Sequence, residues 1–351
     1  MEKSKKKKII LIVVSILVVI GAIAATILIL NKNKKQEFNE VVPEKKVEEK
    51  KKKITVVDTD SDERPFAVMI NNHPAAREHH AGLQDAFIIY EITVEGGMTR
   101  YLAVFKDAKT EKIGSVRSAR HYFLDYAMEN DAIYVHWGWS PQAEFQIGTL
   151  GINNLNGLTY EGVYFFRDRT LNVSSEHTGF TKMEMLRAGA EKRKYKTTSD
   201  KKLLLNYSVD PVDLSKKDGA EKADKVVVHY SNSVTDTYNF DSANSYYLRS
   251  VNGKEHVDDV TKEQYHFKNI IVYQAENFTI VGDDKGRQDL KNIGSGEGYY
   301  ITNGYAVKIK WSKEDRDKQT KYTYLDGTEI DVSDGNTFIQ IQPLGASVEI
   351  S

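Results

Sequence analysis

Ile9 to Leu30 is an uncharged run of twenty-two residues, preceded by Lys3, Lys5, Lys6, Lys7 and Lys8. At about 1.5 Å rise per residue it reaches roughly 33 Å as a helix, enough for the roughly 30 Å hydrocarbon core of a bilayer. Residues 9–30 are therefore expected to meet the lipid bilayer as a single membrane-spanning helix. Positive residues beside a short N-terminal tail stay in the cytoplasm, so residues 1–8 are read as a cytoplasmic tail and the rest as extracellular. A cleaved leader is the alternative, because Ala22-Ile23-Ala24 has the small-x-small pattern of a signal peptidase site. The apolar run continues past that site to Leu30, longer than the 7–15 residues usual for such a leader, which argues for a stop in the membrane.

The chain contains no cysteine. Disulfides are excluded, and so is a lipid attached to cysteine, so the folded part must be stabilised by burial alone. Residues 1–53 carry fourteen Lys and six Glu, leaving thirty-five basic and forty-four acidic residues beyond them. The acidic balance of the folded part argues against nucleic acid as a partner, which needs a basic face to displace counterions. Residues 31–60 open with a Lys/Glu-rich stretch and are read as a solvated, charged stalk.

Phe66–Ile70, Ala86–Glu91 and Tyr101–Phe105 are apolar runs of strand length, the last two flanking a Gly96-Gly97 turn. Phe123/Ala127 and Leu124/Met128 repeat at four-residue spacing, predicting a helix over 118–129 with Ser118 as its cap. Ala132–His136 returns to strand, Ser140-Pro141 opens another helix, and Thr181–Lys194 reads as a third. Beyond residue 224 the pattern changes to short β-like runs with hairpin signals at Asn252-Gly253 and Asp326-Gly327. Ile270–Tyr273, Tyr305–Trp311 and Thr337–Ile341 predict an antiparallel sheet or sandwich there, and Gly294–Gly298 a mobile loop. The fold class expected is α+β: a mixed α/β domain over 61–200, a linker over 201–224 and a β-rich domain over 225–351.

The candidate site residues fall in the first of these domains. Arg117 and Arg120 bracket Ser118 where a loop hands over to the predicted helix, so backbone N–H groups and two guanidinium forks can meet one anion. Arg100 and Arg167 are further candidates for the same ligand. The competing reading pairs the arginines with Glu91, Glu95 or Asp125. His136 ends a strand before Trp137-Gly138-Trp139, and His177 sits in a loop after Arg167-Asp168. Both are candidate acid–base residues, with Glu95 or Asp168 as carboxylate partner. No HExxH, paired helical histidine, phosphate-binding loop or GxSxG elbow occurs, so neither metal nor cofactor is expected.

Arg64-Pro65-Phe66-Ala67-Val68-Met69-Ile70-Asn71-Asn72, Val94 to Phe105 with its Glu95-Gly96-Gly97 turn, and Gly114-Ser115-Val116-Arg117-Ser118-Ala119-Arg120 together resemble the YerB-like bacterial envelope proteins that carry the DUF3048 domain. The likeness continues through Tyr134-Val135-His136, Ser140-Pro141 and Phe166-Arg167-Asp168. Gly335-Asn336-Thr337-Phe338-Ile339-Gln340-Ile341 resembles that family's C-terminal domain. The resemblance implies an outer-surface location and leaves the chemistry open. This chain has a spanning helix where many relatives have a lipid-bearing cysteine, and Trp139 where a second glycine is frequent.

Two function classes follow. One is a binding or regulatory module recognising an anionic cell-envelope component, a phosphate- or carboxylate-bearing wall polymer. The other is a hydrolase or transferase on such a polymer, with histidine–carboxylate chemistry and arginines stabilising developing charge. The chain has no recognisable nucleophile-and-base constellation, which favours the first.

Overall fold

The computed structural model describes residues 2–37 and 53–351, and the chain divides into two units between Lys51 and Lys52. The first unit contains helix α1 (Glu2–Glu37). Large apolar side chains from Ile9 to Leu30 stand exposed along it, and the helix is long and apolar enough to cross a membrane. It continues past Leu30, so the expected stalk begins as helix, and the 38–52 part of that stalk lies outside the described residues. At its far end the expected stalk joins the second unit: Thr55 donates its N–H to Asp334 at 2.9 Å and Val57 is buried.

In the second unit the apolar runs become β1 (Phe66–Asn71), β2 (Ile88–Thr93) and β3 (Thr99–Phe105), each buried at every residue. Gly96 and Gly97 turn β2 into β3 at φ 67° and 69°, a conformation glycine adopts without strain. Then follow α2 (Phe123–Glu129), β4 (Ile133–His136), α3 (Pro141–Thr149), β5 (Asn154–Asn156) and α4 (Met183–Lys192). Ser140 caps α3, its hydroxyl accepting from the Ala143 N–H at 3.2 Å, with Pro141 in the first turn.

Helix α2 starts at Phe123, five residues later than the spacing predicts. Tertiary pairing overrides the local signal. Arg117 donates its N–H to Met69 at 2.9 Å and accepts from Trp137 at 3.0 Å, while Ala119 donates to Gly138 at 2.9 Å. The segment is thereby held extended, and the Ser118 hydroxyl donates to the Trp137 carbonyl at 3.0 Å instead of capping a helix.

The C-terminal half supplies β6 (Lys225–Ser231), β7 (Val234–Asp241), β8 (Tyr246–Val251), β9 (Asn269–Thr279), β10 (Gln288–Lys291), β11 (Gly294–Thr302), β12 (Tyr305–Lys313), β13 (Thr337–Pro343) and β14 (Val348–Ile350). The Gly294–Gly298 stretch is the first half of β11, not a loop, because it pairs residue for residue with Lys313–Ile309 of β12. The expected hairpin at Asn252-Gly253 is present, with φ 51° and 76° at its two central residues.

Among the described residues twelve strands form one mixed sheet, with main order Glu221–Lys222, β12, β11, β9, β13, β2, β3, β1, β4, β5. Strand β13 is its centre. It runs parallel to β9 on one side and to β2 on the other, with Phe338 opposite both Ile270 and Ile89. Thr337–Gln342 are buried on both faces, which suits a central parallel strand better than the antiparallel pairing the sequence predicts. The 61–200 and 225–351 segments therefore share one sheet. The expected linker is woven in: Asn206–Ser208 pairs with Asp331–Ser333, and Leu204, Leu205 and Leu214 are buried. One face of the large sheet packs on α2 and α3. The other packs on α4 and on a second sheet ordered β8, β7, β6, β14.

A charged knot closes the space between the two sheets. Arg249 of β8, fully buried, donates through Nη2 to Glu91 of β2 at 2.9 Å and to Asp236 of β7 at 2.7 Å. Thr99 and Asn72 donate to the other Glu91 oxygen at 2.6 and 3.2 Å. Burial, and then repulsion from Asp236, push the Glu91 carboxyl well above the usual range. Arg249→Leu should leave two buried carboxylates without a counter-ion and cost about 3–5 kcal/mol, read as a lower urea midpoint by circular dichroism. A loss below about 1 kcal/mol would remove the knot's structural role.

Candidate functional site

Strands β1, β4 and β5 run parallel at one edge of the large sheet. Sites in sheets of this kind form beyond the carboxyl ends of the strands. Here that ground is occupied by Asn71-Asn72-His73 after β1, Trp137-Gly138 after β4, and the Arg117–Ala119 segment bridging the two.

Three arginines converge there. Arg120 engages both oxygens of Glu95, with Nη2 at 2.8 Å from Oε2 and Nε paired to Oε1. Arg100 stands 3.6 Å from the same carboxylate and donates to the Ser118 carbonyl at 2.5 Å. Burial opposes the Glu95 charge, yet the Arg120 hydrogen bonds and the two positive neighbours hold its carboxyl below the ordinary range. Burial, with Arg120 and Arg117 nearby, lowers the Arg100 guanidinium to about 9. Arg100 and Arg120 are thus committed to Glu95. Arg117 is less buried and meets Glu176 at 2.5 Å, a residue whose side chain is 52 % exposed.

The two histidines part company. His136 is buried, with Nδ1 at 2.8 Å from the Gly138 carbonyl, Nε2 at 3.1 Å from Asn154 Oδ1, and Trp139 packed against its ring. Burial lowers its pKa, so it is a neutral residue bracing the turn after β4. His177 stands beside Arg117 on the Ser175–His177 turn, its Nδ1 2.8 Å from Asn71 Nδ2. His73 stacks on it, with ring centroids 4.8 Å apart and planes 12° from parallel. Because the Asn71 amide donates, the His177 proton resides on Nε2, which faces Glu176 Oε1 at 3.7 Å. Burial lowers the His177 pKa, although Glu176 acts in the opposite direction.

Asn71 also ties this corner to the charged knot. Arginine can only donate, so Arg249 Nη1 gives a hydrogen bond to His256 Nδ1 at 2.6 Å. His256 Nε2 then donates to His80 Nδ1 at 2.8 Å, and His80 Nε2 to the Asn71 carbonyl at 2.5 Å. Both imidazoles in this relay are neutral. Burial lowers His80 to about 3 and holds His256 well below the usual value.

Arg167 and Asp168 serve neighbouring contacts. Arg167 pairs with Glu161 at 3.0 Å and lies over the Trp137 ring at 4.4 Å. Asp168 accepts from Lys112 at 2.8 Å, and that hydrogen bond, with Thr170, lowers it to about 2. Among the described residues no group of three or more His, Asp or Glu could hold a metal ion. Asn71, His73 and Glu176 are the cluster members that sequence reasoning did not single out. The clue to Asn71 and His73 was their place at a strand's carboxyl end, whereas nothing local signals that Glu176 reaches Arg117, fifty-nine residues away.

The fold and this corner define a two-part domain architecture that comparison with known proteins identifies. Residues 54–196 match the protein of unknown function (DUF3048) N-terminal domain, and residues 226–339 its C-terminal domain. The chain belongs to the YerB-like DUF3048 family. It is 32% identical over 288 residues to YerB of Bacillus subtilis strain 168, which bears a lipoprotein designation, covering 81% of this chain and 82% of that protein. The crystal structure of Bacillus subtilis YerB superposes with a TM-score of 0.71 at 30% identity, covering 82% of this chain and 94% of the other.

Glu95→Gln should leave Arg100 and Arg120 without their shared anion, costing about 3 kcal/mol in urea unfolding, near the low end for a broken buried pair because Glu95 is one-fifth exposed. A second expectation concerns pH. His80 has a depressed folded pKa, so its contribution to stability is present above the unfolded value of 6.5 and is lost as pH falls toward about 3. Between pH 7 and pH 5 the loss should be about 2 kcal/mol. Glu91 and Asp125, both raised, act in the other direction in wild type and variant alike. The difference in pH slope between wild type and His80→Gln therefore reports His80 together with its bonded neighbour His256, and equal slopes would refute the assignment.

Proposed function

We propose that this protein is a membrane-anchored module, facing outward, that binds an anionic cell-envelope component through Arg117, His177 and His73. The observation that carries the reading is a surplus of positive charge: Arg100 and Arg120 share one carboxylate, Glu95, and Arg117 lies close enough to lower the Arg100 guanidinium further. Arg117 completes its pairing only with a carboxylate on an exposed turn, a bond worth little in water. A phosphate or carboxylate of a wall polymer can replace Glu176 on Arg117 with Arg100 and Arg120 supplying a positive field behind. The stacked imidazoles offer an Nε2–H donor at the same place. An enzyme working by histidine–carboxylate chemistry is less well supported, since the 3.7 Å between His177 and Glu176 is too long for a hydrogen bond.

The full-length protein in nanodiscs, titrated calorimetrically with soluble phosphate-bearing wall fragments, tests the reading. Arg117→Ala should weaken binding at least tenfold, the equivalent of one charge-assisted hydrogen bond of about 1.5 kcal/mol. Glu176→Gln should leave affinity unchanged or raise it. Equal affinities for wild type and Arg117→Ala would end the proposal.

A further inference from the structure

A second candidate site lies at the opposite end of the large sheet, where two strands part. Strands β9 and β11 pair from Asn269↔Thr302 to Tyr273↔Gly298, and β9 then pairs with β10 from Glu276↔Lys291 onward. Between these ladders Gly294 to Glu297 of β11 bond to β12 on one side and, among the described residues, to no strand on the other. The notch opens into a cavity of about 540 Å³, within the size range of ligand pockets.

Two features give this cavity a ligand's chemistry. Its lining includes Trp311 and Gln342, 4% and 0% exposed, whose indole N–H and side-chain oxygen have no hydrogen-bond partner among the described residues. An unsatisfied buried donor and acceptor are costly in a native protein. Gly296 also keeps the strand bare, since a Cβ there would lie 2.7 Å from the Trp311 nitrogen. The rim is apolar, with Ile293 44% and Leu344 62% exposed.

We infer that the notch binds an extended peptide segment of a partner protein, which adds a strand beside Gly294–Glu297. A free strand edge presents N–H and C=O groups at backbone spacing, and the complement to that pattern is another backbone. Four residues span roughly 13 Å, so a short segment suffices. Alternate side chains of such a strand fall toward Ile293 and Leu344. Charge agrees: Glu276 and Lys291 close on each other at 2.9 Å, while Glu297 and Lys308 face the cavity without a partner among the described residues. A segment carrying both signs of charge answers both. This inference is independent of the Arg117 corner.

The test uses full-length protein in nanodiscs and a fluorescein-labelled hexapeptide, Lys-Val-Thr-Val-Glu-Val, read by fluorescence anisotropy. A second peptide carries N-methyl groups at alternate residues on the edge-facing side. The unmodified peptide should bind and the methylated one should lose at least tenfold in affinity. Ile293→Asp with Leu344→Asp, exposed positions whose change leaves the core intact, should weaken binding tenfold as well. Failure of the hexapeptide to bind at millimolar concentration, or equal binding of both peptides, would overturn the inference. Self-association abolished by Leu344→Asp would overturn it too, by assigning the edge to a second copy.

Discussion

Burying Arg249 between Glu91 and Asp236 sets the terms for the rest of the globular unit. Removing three ionisable groups from water is expensive, and the attraction among them offsets that expense only when geometry and further hydrogen bonds are complete. Here they are: Thr99 and Asn72 bond Glu91, Tyr238 accepts from Arg249 Nε at 3.2 Å, and His256 takes the remaining guanidinium arm. The participants come from β2, β7 and β8, on both sides of the family's domain boundary. Pulling the halves apart would expose the charges singly, and would also strip β13 from β2. The two family domains therefore behave as parts of one core.

That unity was the least legible feature of the sequence. Periodicity reports which residues are buried and whether a strand or helix buries them. It is silent on which strands are neighbours. Phe66–Ile70, Tyr101–Phe105 and Ser140-Pro141 were readable because each signal is local, an apolar run or a cap followed by proline. Thr337–Ile341 was readable as a strand, but its insertion between β9 and β2 depends on residues some seventy and two hundred and fifty positions away. Ser118 failed for a related reason. Its capping chemistry is real, but Met69 and Trp137 offered the backbone of Arg117 better partners than a helix could.

The candidate site was legible in part. Pairing of the arginines with Glu95 was one of the two alternatives the sequence left open, and it is the one realised for Arg120 and, more loosely, for Arg100. Arg117 escaped it by meeting Glu176 instead. His136 and His177 looked equivalent as histidines near aromatic or charged neighbours. Hydrogen bonding separates them: one is fastened on both ring nitrogens within the turn after β4, the other has a ring nitrogen turned toward a half-exposed carboxylate.

What links the corner to the knot is the direction of its hydrogen bonds. Arg249 has no acceptor, so every proton in the relay is forced one way, through His256 and His80 to the Asn71 carbonyl. A proton added to either imidazole would place two donors face to face and break the chain, and burial, which lowers both pKa values, keeps them neutral. The Asn71 backbone is thus held by the interior while its side chain fixes the tautomer of His177. An Nε2–H directed toward Glu176, beside Arg117, is the arrangement that suits an incoming anion rather than a proton to be abstracted. The same buried charges that join the two halves therefore bear on which ring nitrogen of His177 carries its proton, and give the corner a donor character that its exposed residues alone would not enforce.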